Sequence, residues 1–149
     1  MNRASGVLLP VTSLPSKYGI GCFSREAYEF IDWLKEAGQT YWQILPLSPT
    51  SYGDSPYQSF SSFAGNPYLI DLEALIGEGV LTEEECDACD FGEASFAVDY
   101  EKMYLQRFTL LRLAYERSDI SQNPEFNRFV QENACWLEDY ALFMAVKQC

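Results

Sequence analysis

Tyr52, Asp54, Ser55 and Tyr57 are the residues whose types and spacing best suit chemistry, and they share one loop. Asp54 is the only charged side chain between Glu36 and Asp71. Around it Tyr52, Tyr57, Phe60, Phe63 and Tyr68 alternate with Ser, Gln, Asn, Gly and Pro. Aromatic rings offer rigid apolar area, often with a polar tip, and a site built to hydrogen-bond hydroxyls rejects ligands that lack them. Such a segment suits a neutral polyhydroxylated ligand. The competing reading of the same composition is an Ω-loop with a small core of its own, its rings turned inward and its Ser and Asn closing turns.

Other chemistries are less well supplied. The chain of 149 residues has no histidine, which removes Ser-His-Asp and Cys-His catalysis and the commonest zinc ligand. Its five cysteines are odd in number and irregularly spaced, and no export signal precedes them, so reduced thiols in a cytoplasmic protein are expected. Cys86 and Cys89 form a lone C-x-x-C. A metal there would need two more ligands, and a redox pair normally sits at a helix start beside a βαβ core, so free thiols on a helix are expected. The ten acidic residues between Leu72 and Glu101, with no Lys or Arg among them, read as a solvated helical face. A net charge of −12, from 10 Lys plus Arg against 22 Asp plus Glu, argues against nucleic acid and an anionic membrane as partners. No run reaches the roughly 18 apolar residues of a membrane span. No cofactor and no metal are implied.

The elements that must position the loop follow from patterning. Gly6 to Pro10 and Tyr41 to Leu47 read as strands buried on both faces. Between them a helix starts at Arg25 behind Ser24 as N-cap, turns Ala27, Phe30, Ile31, Leu34 and Ala37 to one side, and stops at Gly38 in the C′ position. Strand, helix, strand is a βαβ unit with a parallel crossover, and ligands of such folds sit at the carboxyl ends of the strands. Both long loops, after Pro10 and after Leu47, emerge there. Beyond Asp71 the pattern is helical. Thr82 and Glu85 form a capping box, a long helix is predicted over Asp99 to Arg117 with Tyr104, Phe108, Leu111 and Tyr115 on one face, Asn123 and Pro124 open another, and Trp136 to Lys147 is the last. Two parallel strands cannot protect their own edges, so the chain is expected to be the first part of a longer enzyme.

Five motifs carry a resemblance. Ser13 to Gly21 (SLPSKYGIG), Tyr41 to Leu47 (YWQILPL), Tyr52 to Ser61 (YGDSPYQSFS), Ala64 to Leu72 (AGNPYLIDL) and Trp136 to Ala145 (WLEDYALFMA) together resemble the amino-terminal part of the 4-α-glucanotransferases, the amylomaltases. The resemblance implies an α/β fold: the first βαβ unit of a (β/α)8 TIM barrel over 1–72 with the sugar-site loops, and part of an α-helical insertion subdomain over 73–149. It implies transfer of α-1,4-glucan segments, with maltooligosaccharides as partners, by a retaining mechanism whose three carboxylates lie in later strands, so no catalytic residue is expected here. By the same resemblance Tyr57 matches a tyrosine of the donor-sugar site and Tyr52 one of a second glucan site. Ser55 is assigned a sugar hydroxyl, and Asp54 an Asx turn bracing the loop. Asn66 and Asp71 are read as structural, and Trp42 as core. Cys22 stands where a polar residue is expected, which removes a local hydrogen bond. A stand-alone glucan-binding module without chemistry is the alternative reading, and a redox or metal protein using Cys86 and Cys89 is a third.

Overall fold

Each strand is only three residues long. The computed structural model describes residues 3–92 and 97–147; Glu93 of the acidic run and Cys149 lie outside them. β1 (Gly6–Leu8) and β2 (Tyr41–Gln43) pair in parallel with Gly6 opposite Tyr41 and Leu8 opposite Gln43. A Cβ on Gly6 would meet the Tyr41 carbonyl oxygen at 2.5 Å, so the close approach of the strands requires glycine. One more ladder bond runs from the Leu9 amide to the Gln43 carbonyl (3.0 Å), and the Leu9 carbonyl then accepts from the Trp42 indole (2.8 Å). The strands are therefore shorter than the apolar runs that suggest them. They are also not buried on both faces: Leu8 is 58% and Tyr41 65% exposed, because two strands and one covering helix leave the outer surface of the sheet open.

α1 (Arg25–Glu36) joins the strands. Ala27 and Leu34 are its buried positions, whereas Ile31, expected inside, is 48% exposed. Gly38 takes the left-handed conformation (φ +70°) that a C′ residue needs. Ser24 holds the N-cap backbone position but its hydroxyl donates to the Glu26 carboxylate instead of accepting from a backbone amide. Phe30 of α1 meets Trp42 edge-on at 5.0 Å, and the Trp42 indole donates to the Leu9 carbonyl (2.8 Å). Trp42 is core-facing, as its place in a strand suggests. These residues pack with Val11, Leu14 and Leu69 into a cluster beneath the strand ends.

A larger cluster lies in the helical half. α2 (Leu72–Gly77) is capped by Asp71, which accepts from the Glu73 amide, and α3 (Glu83–Asp87) by the expected reciprocal Thr82–Glu85 box. α4 (Tyr100–Lys102) continues through a π turn (Met103–Arg107) into α5 (Phe108–Arg117). Asn123 and Pro124 open α6 (Pro124–Glu132), and α7 (Ala134–Lys147) follows. The buried stripe of the long helical run is Met103, Arg107, Leu110 and Ala114. The stripe that carries the tyrosines lies beside it: Phe108 and Leu111 pack half-buried against the core, and Tyr104 and Tyr115 are 60% and 65% exposed. The two stripes differ by one residue, about 100° around a helix; the tyrosines keep their hydroxyls wet, and an arginine occupies a position that patterning reserves for an apolar residue. Leu72, Cys86, Met103 and Leu110 meet Tyr18, Ile20 and Tyr68 here, and each fully buried aliphatic side chain contributes about 1.5–3 kcal/mol.

The acidic run is less solitary than expected. Lys17 bridges Glu83 (2.6 Å) and Asp87 (2.9 Å), Lys102 pairs with Asp90 (2.6 Å) and Arg117 with Glu85 (2.6 Å), so cations from other segments tie α3 and its flank to the fold. The Arg117 guanidinium, with the Thr82 amide, holds the Glu85 carboxyl down to about 2 from an ordinary 4.5. A lowered folded-state value stabilises above the ordinary range and is lost as pH falls toward 2. Carboxyl NMR titration is expected to show Glu85 returning toward its ordinary value in Arg117→Ala, and the stability gap between that variant and the parent is expected to close at the acid end.

Candidate functional site

The chain leaving each strand is held in place by backbone bonds before any site residue is reached. After β1, a turn over Val11–Ser13 passes under the Gly21 amide, which donates to the Thr12 carbonyl (3.2 Å). After β2, the Asn66 amide donates to the Leu47 carbonyl (2.8 Å), which closes the loop from 48 to 65 at its base. Asn66 then accepts from the Tyr68 amide through Oδ1 (3.0 Å), the turn role expected of Asn-Pro.

Between these two returns, at the carboxyl ends of β1 and β2, lies a cleft of about 240 Å³. Thr12, Pro46, Thr50, Asp54, Pro56 and Tyr100 are among its walls. Location and composition are those expected of a ligand site in a parallel α/β architecture. Asp54 stands at φ +58°, a left-handed position that Asp tolerates, with its amide donating to the Ser51 carbonyl (3.0 Å). Burial raises its carboxyl above the usual carboxylate range. Burial also raises the Tyr100 hydroxyl, the Asp54 charge acts in the same direction, and the Thr12 side chain opposes both. Tyr68, buried behind, is pushed up to about 12 by burial and then by Asp54.

The four loop residues divide. Asp54 faces the cleft and does not brace the turn; the brace is Ser55, whose Oγ accepts from the Tyr57 amide (3.4 Å) and whose carbonyl accepts from Gln58 (3.1 Å). The Asx turn expected of Asp54 is not formed, since residue 56, whose amide it would need, is proline, and Ser55 closes the turn instead. Tyr52 is fully exposed and Tyr57 73% exposed, beside the cleft and not among its walls. Phe60 and Tyr68 are packed, Phe60 on Tyr140 and Tyr68 against Tyr100 and Phe108, while Phe63 lays one face on Trp136 and remains 72% exposed. One half of the ring-rich loop anchors it, as the Ω-loop reading supposes, and the other half is presented to solvent. Tyr100, Thr12 and Thr50 are cleft residues that sequence reasoning missed. Tyr100 lies in a segment read only as helix, and the two threonines in stretches read only as turns.

The cysteines are built into the fold. Cys86 is fully buried, and burial pushes its thiol up to about 11; Cys89 is also raised by burial and donates to the Glu85 carbonyl (3.5 Å). Redox-active thiols have lowered values in electropositive, accessible surroundings, so these surroundings contradict a redox role. Among the described residues no group of three His, Cys, Asp or Glu side chains is placed to hold a metal ion, and no helix is long and apolar enough to cross a membrane.

A titration checks the cleft electrostatics. With its folded-state value raised, the Asp54 carboxyl favours the folded chain at low pH and the contribution is lost as pH rises through that value. Asp54→Asn tolerates the same backbone and is expected to raise the thermal midpoint at pH 7 relative to the parent, with no gain at pH 3.

Comparison with known proteins places this geometry in context. The sequence pattern of one family, described as 4-alpha-glucanotransferase, matches residues 9–149. The 4-alpha-glucanotransferase of Streptococcus pneumoniae serotype 4 is 49% identical over 147 residues, covering 98% of this chain and 29% of that protein. The 4-alpha-glucanotransferase of Thermus thermophilus is 50% identical over 149 residues, covering 97% of this chain and 29% of that protein. An amylomaltase from Streptococcus agalactiae, solved in complex with acarbose, superposes with a TM-score of 0.89 at 45% identity and covers 99% of this chain and 30% of that one. The chain thus spans about 29% of the length of the curated relatives it matches.

Proposed function

The chain belongs to the 4-alpha-glucanotransferase family, and from that premise we propose that it forms the amino-terminal sugar-site portion of an enzyme transferring α-1,4-glucan segments to a sugar acceptor. In this reading residues 1–72 supply the first βαβ unit of a (β/α)8 barrel with its substrate loops, and 73–149 supply part of a helical insertion. The larger core cluster, which joins Tyr18, Ile20 and Tyr68 to Met103 and Leu110, packs the two parts as one body.

The observation that carries the reading is the cleft at the strand ends, which holds a single carboxyl among the described residues. A retaining glycosidic centre needs two carboxyl groups about 5–5.5 Å apart, so Asp54 acts as a binding group and the reacting carboxylates come from further strands of the barrel. Tyr57 stacks on a donor sugar, Tyr52 contacts a glucan at the outer surface, and Asp54 and Ser55 serve sugar hydroxyls. The free thiols of Cys22, Cys86 and Cys89 and the odd cysteine count support a cytoplasmic site of action.

Incubation with maltotriose tests the proposal. The chain alone is expected to form no longer oligosaccharides, whereas the longer transferase that contains it does so. Tyr57→Ala in that longer enzyme is expected to lower kcat/KM at least about tenfold. Transfer catalysed by the chain alone would overturn the assignment of the reacting groups to other strands. Binding of maltoheptaose by the isolated chain, with no transfer by the longer protein, would favour the module reading.

A further inference from the structure

Trp136, Tyr140, Phe143 and Lys147 follow one another at intervals of four, three and four residues, so they rise along one side of α7. That side meets the sugar-site loop. Phe63 stacks on Trp136 with ring centroids 5.7 Å apart and planes 18° from parallel. Phe60 stacks on Tyr140 (6.4 Å, 15°), meets Phe143 (5.7 Å, 44°), and carries the Lys147 ammonium 4.0 Å from its ring centre. No residue of α7 is fully buried, so this aromatic contact forms a large part of what fastens the helix and the loop to each other.

The loop from Ser55 to Ala64 is stiffened by its own side chains. Ser61 Oγ accepts from the Phe63 amide (3.2 Å) and the Ala64 amide (3.1 Å), and Ser59 Oγ accepts from the Ser61 amide (3.2 Å). Ser55 accepts from Tyr57 and Gln58. Two adjoining turns, 55–58 and 59–61, thus separate Tyr57 from Phe60, three residues away, and each is closed by a serine.

We propose that α7 is the positioning element of the donor-sugar loop: Tyr140 and Lys147 hold Phe60, Trp136 holds Phe63, and together these contacts set where Tyr57 stands beside the cleft. The inference rests on the reading of Tyr57 as a sugar contact. Stacked and cation–π contacts are directional, so they fix the angle of the loop as well as its distance. If the loop lay on α7 only to cover apolar surface, loss of one ring would lower stability and leave catalysis unchanged.

The test uses the longer transferase that contains this segment, with Tyr140→Ala, Tyr140→Phe and Lys147→Ala each made in the parent and in a Tyr57→Ala background. Hydrogen exchange over 55–63 and the separate KM and kcat for maltotriose are the readouts. Tyr140→Ala is expected to speed loop exchange and raise KM about tenfold while kcat stays within about twofold; Tyr140→Phe, which keeps the ring, restores both. In the Tyr57→Ala background the Tyr140 change adds nothing further, because both act through one contact. Lys147→Ala, at an exposed position, moves both readouts in the same direction by less and remains informative where Tyr140→Ala does not fold. A rise in KM from Tyr57→Ala with none from Tyr140→Ala or Lys147→Ala overturns the proposal and leaves the sugar-site reading intact. No effect of Tyr57→Ala on KM overturns that reading and with it the catalytic role of α7, while the exchange rates decide whether the helix holds the loop.

Discussion

A guanidinium with no access to water holds the two halves of the chain together. Arg107 is fully buried in the π turn. It donates through Nη1 to the Tyr18 carbonyl (3.3 Å) and through Nη2 to the Ile70 carbonyl. Those two carbonyls belong to the two segments that frame the cleft, one following β1 and one following β2. Burial pulls the Arg107 guanidinium below the usual arginine range, and the neighbouring Cys22, Asp71 and Cys86 push the other way. Hydrogen bonds from a charged donor are worth about 1.5–3 kcal/mol each against desolvation of the same order. The gain in net stability is therefore small, but the geometry is fixed: a rigid fork admits few arrangements of two carbonyls.

The surroundings of that fork account for features that look unrelated in sequence. Cys22, where a polar residue is expected, is 2% exposed, and its thiol lies 3.9 Å from Asp71 Oδ1, close enough to Arg107 to be electrostatically coupled to it. Asp71 caps α2 with the same oxygen. Gly19 is required beside them, since its φ of +79° is left-handed and an added Cβ would fall 2.6 Å from Met103 Cε. The π turn that carries Arg107 leaves Met103, Arg107, Leu110 and Ala114 on one inward stripe. The cleft residues Thr12 and Asp54 then stand on segments whose separation is set from behind by the helical half.

Much of this was legible wherever local chemistry decides structure. The Thr82–Glu85 box, the Asn123–Pro124 start, Gly38 at φ +70° and the parallel pairing across α1 all follow from short-range signals, and all are present. Long-range packing was less legible. Nothing around Arg107 in the sequence distinguishes a buried arginine from the surface arginines Arg112 and Arg117 that follow it five and ten residues on, because its acceptors are carbonyls 89 and 37 residues away. The length of the strands was overestimated because the apolar runs continue past Leu9 and Gln43 into chain that packs without strand pairing, as Ile44 and Leu47 do. The loop was legible in composition but not in its division of labour. Which rings anchor it depends on α7, more than 70 residues farther along the chain.

The claim on which the account stands is that Arg107 fixes the segments flanking the cleft relative to each other, and amide hydrogen exchange on Arg107→Met reads it most directly. The account predicts that protection falls together at the Gly21 and Phe23 amides and at those of Leu69 and Ile70, while β1, β2 and α1 keep theirs. Unchanged exchange in both flanking segments, or a loss confined to one of them, would contradict it.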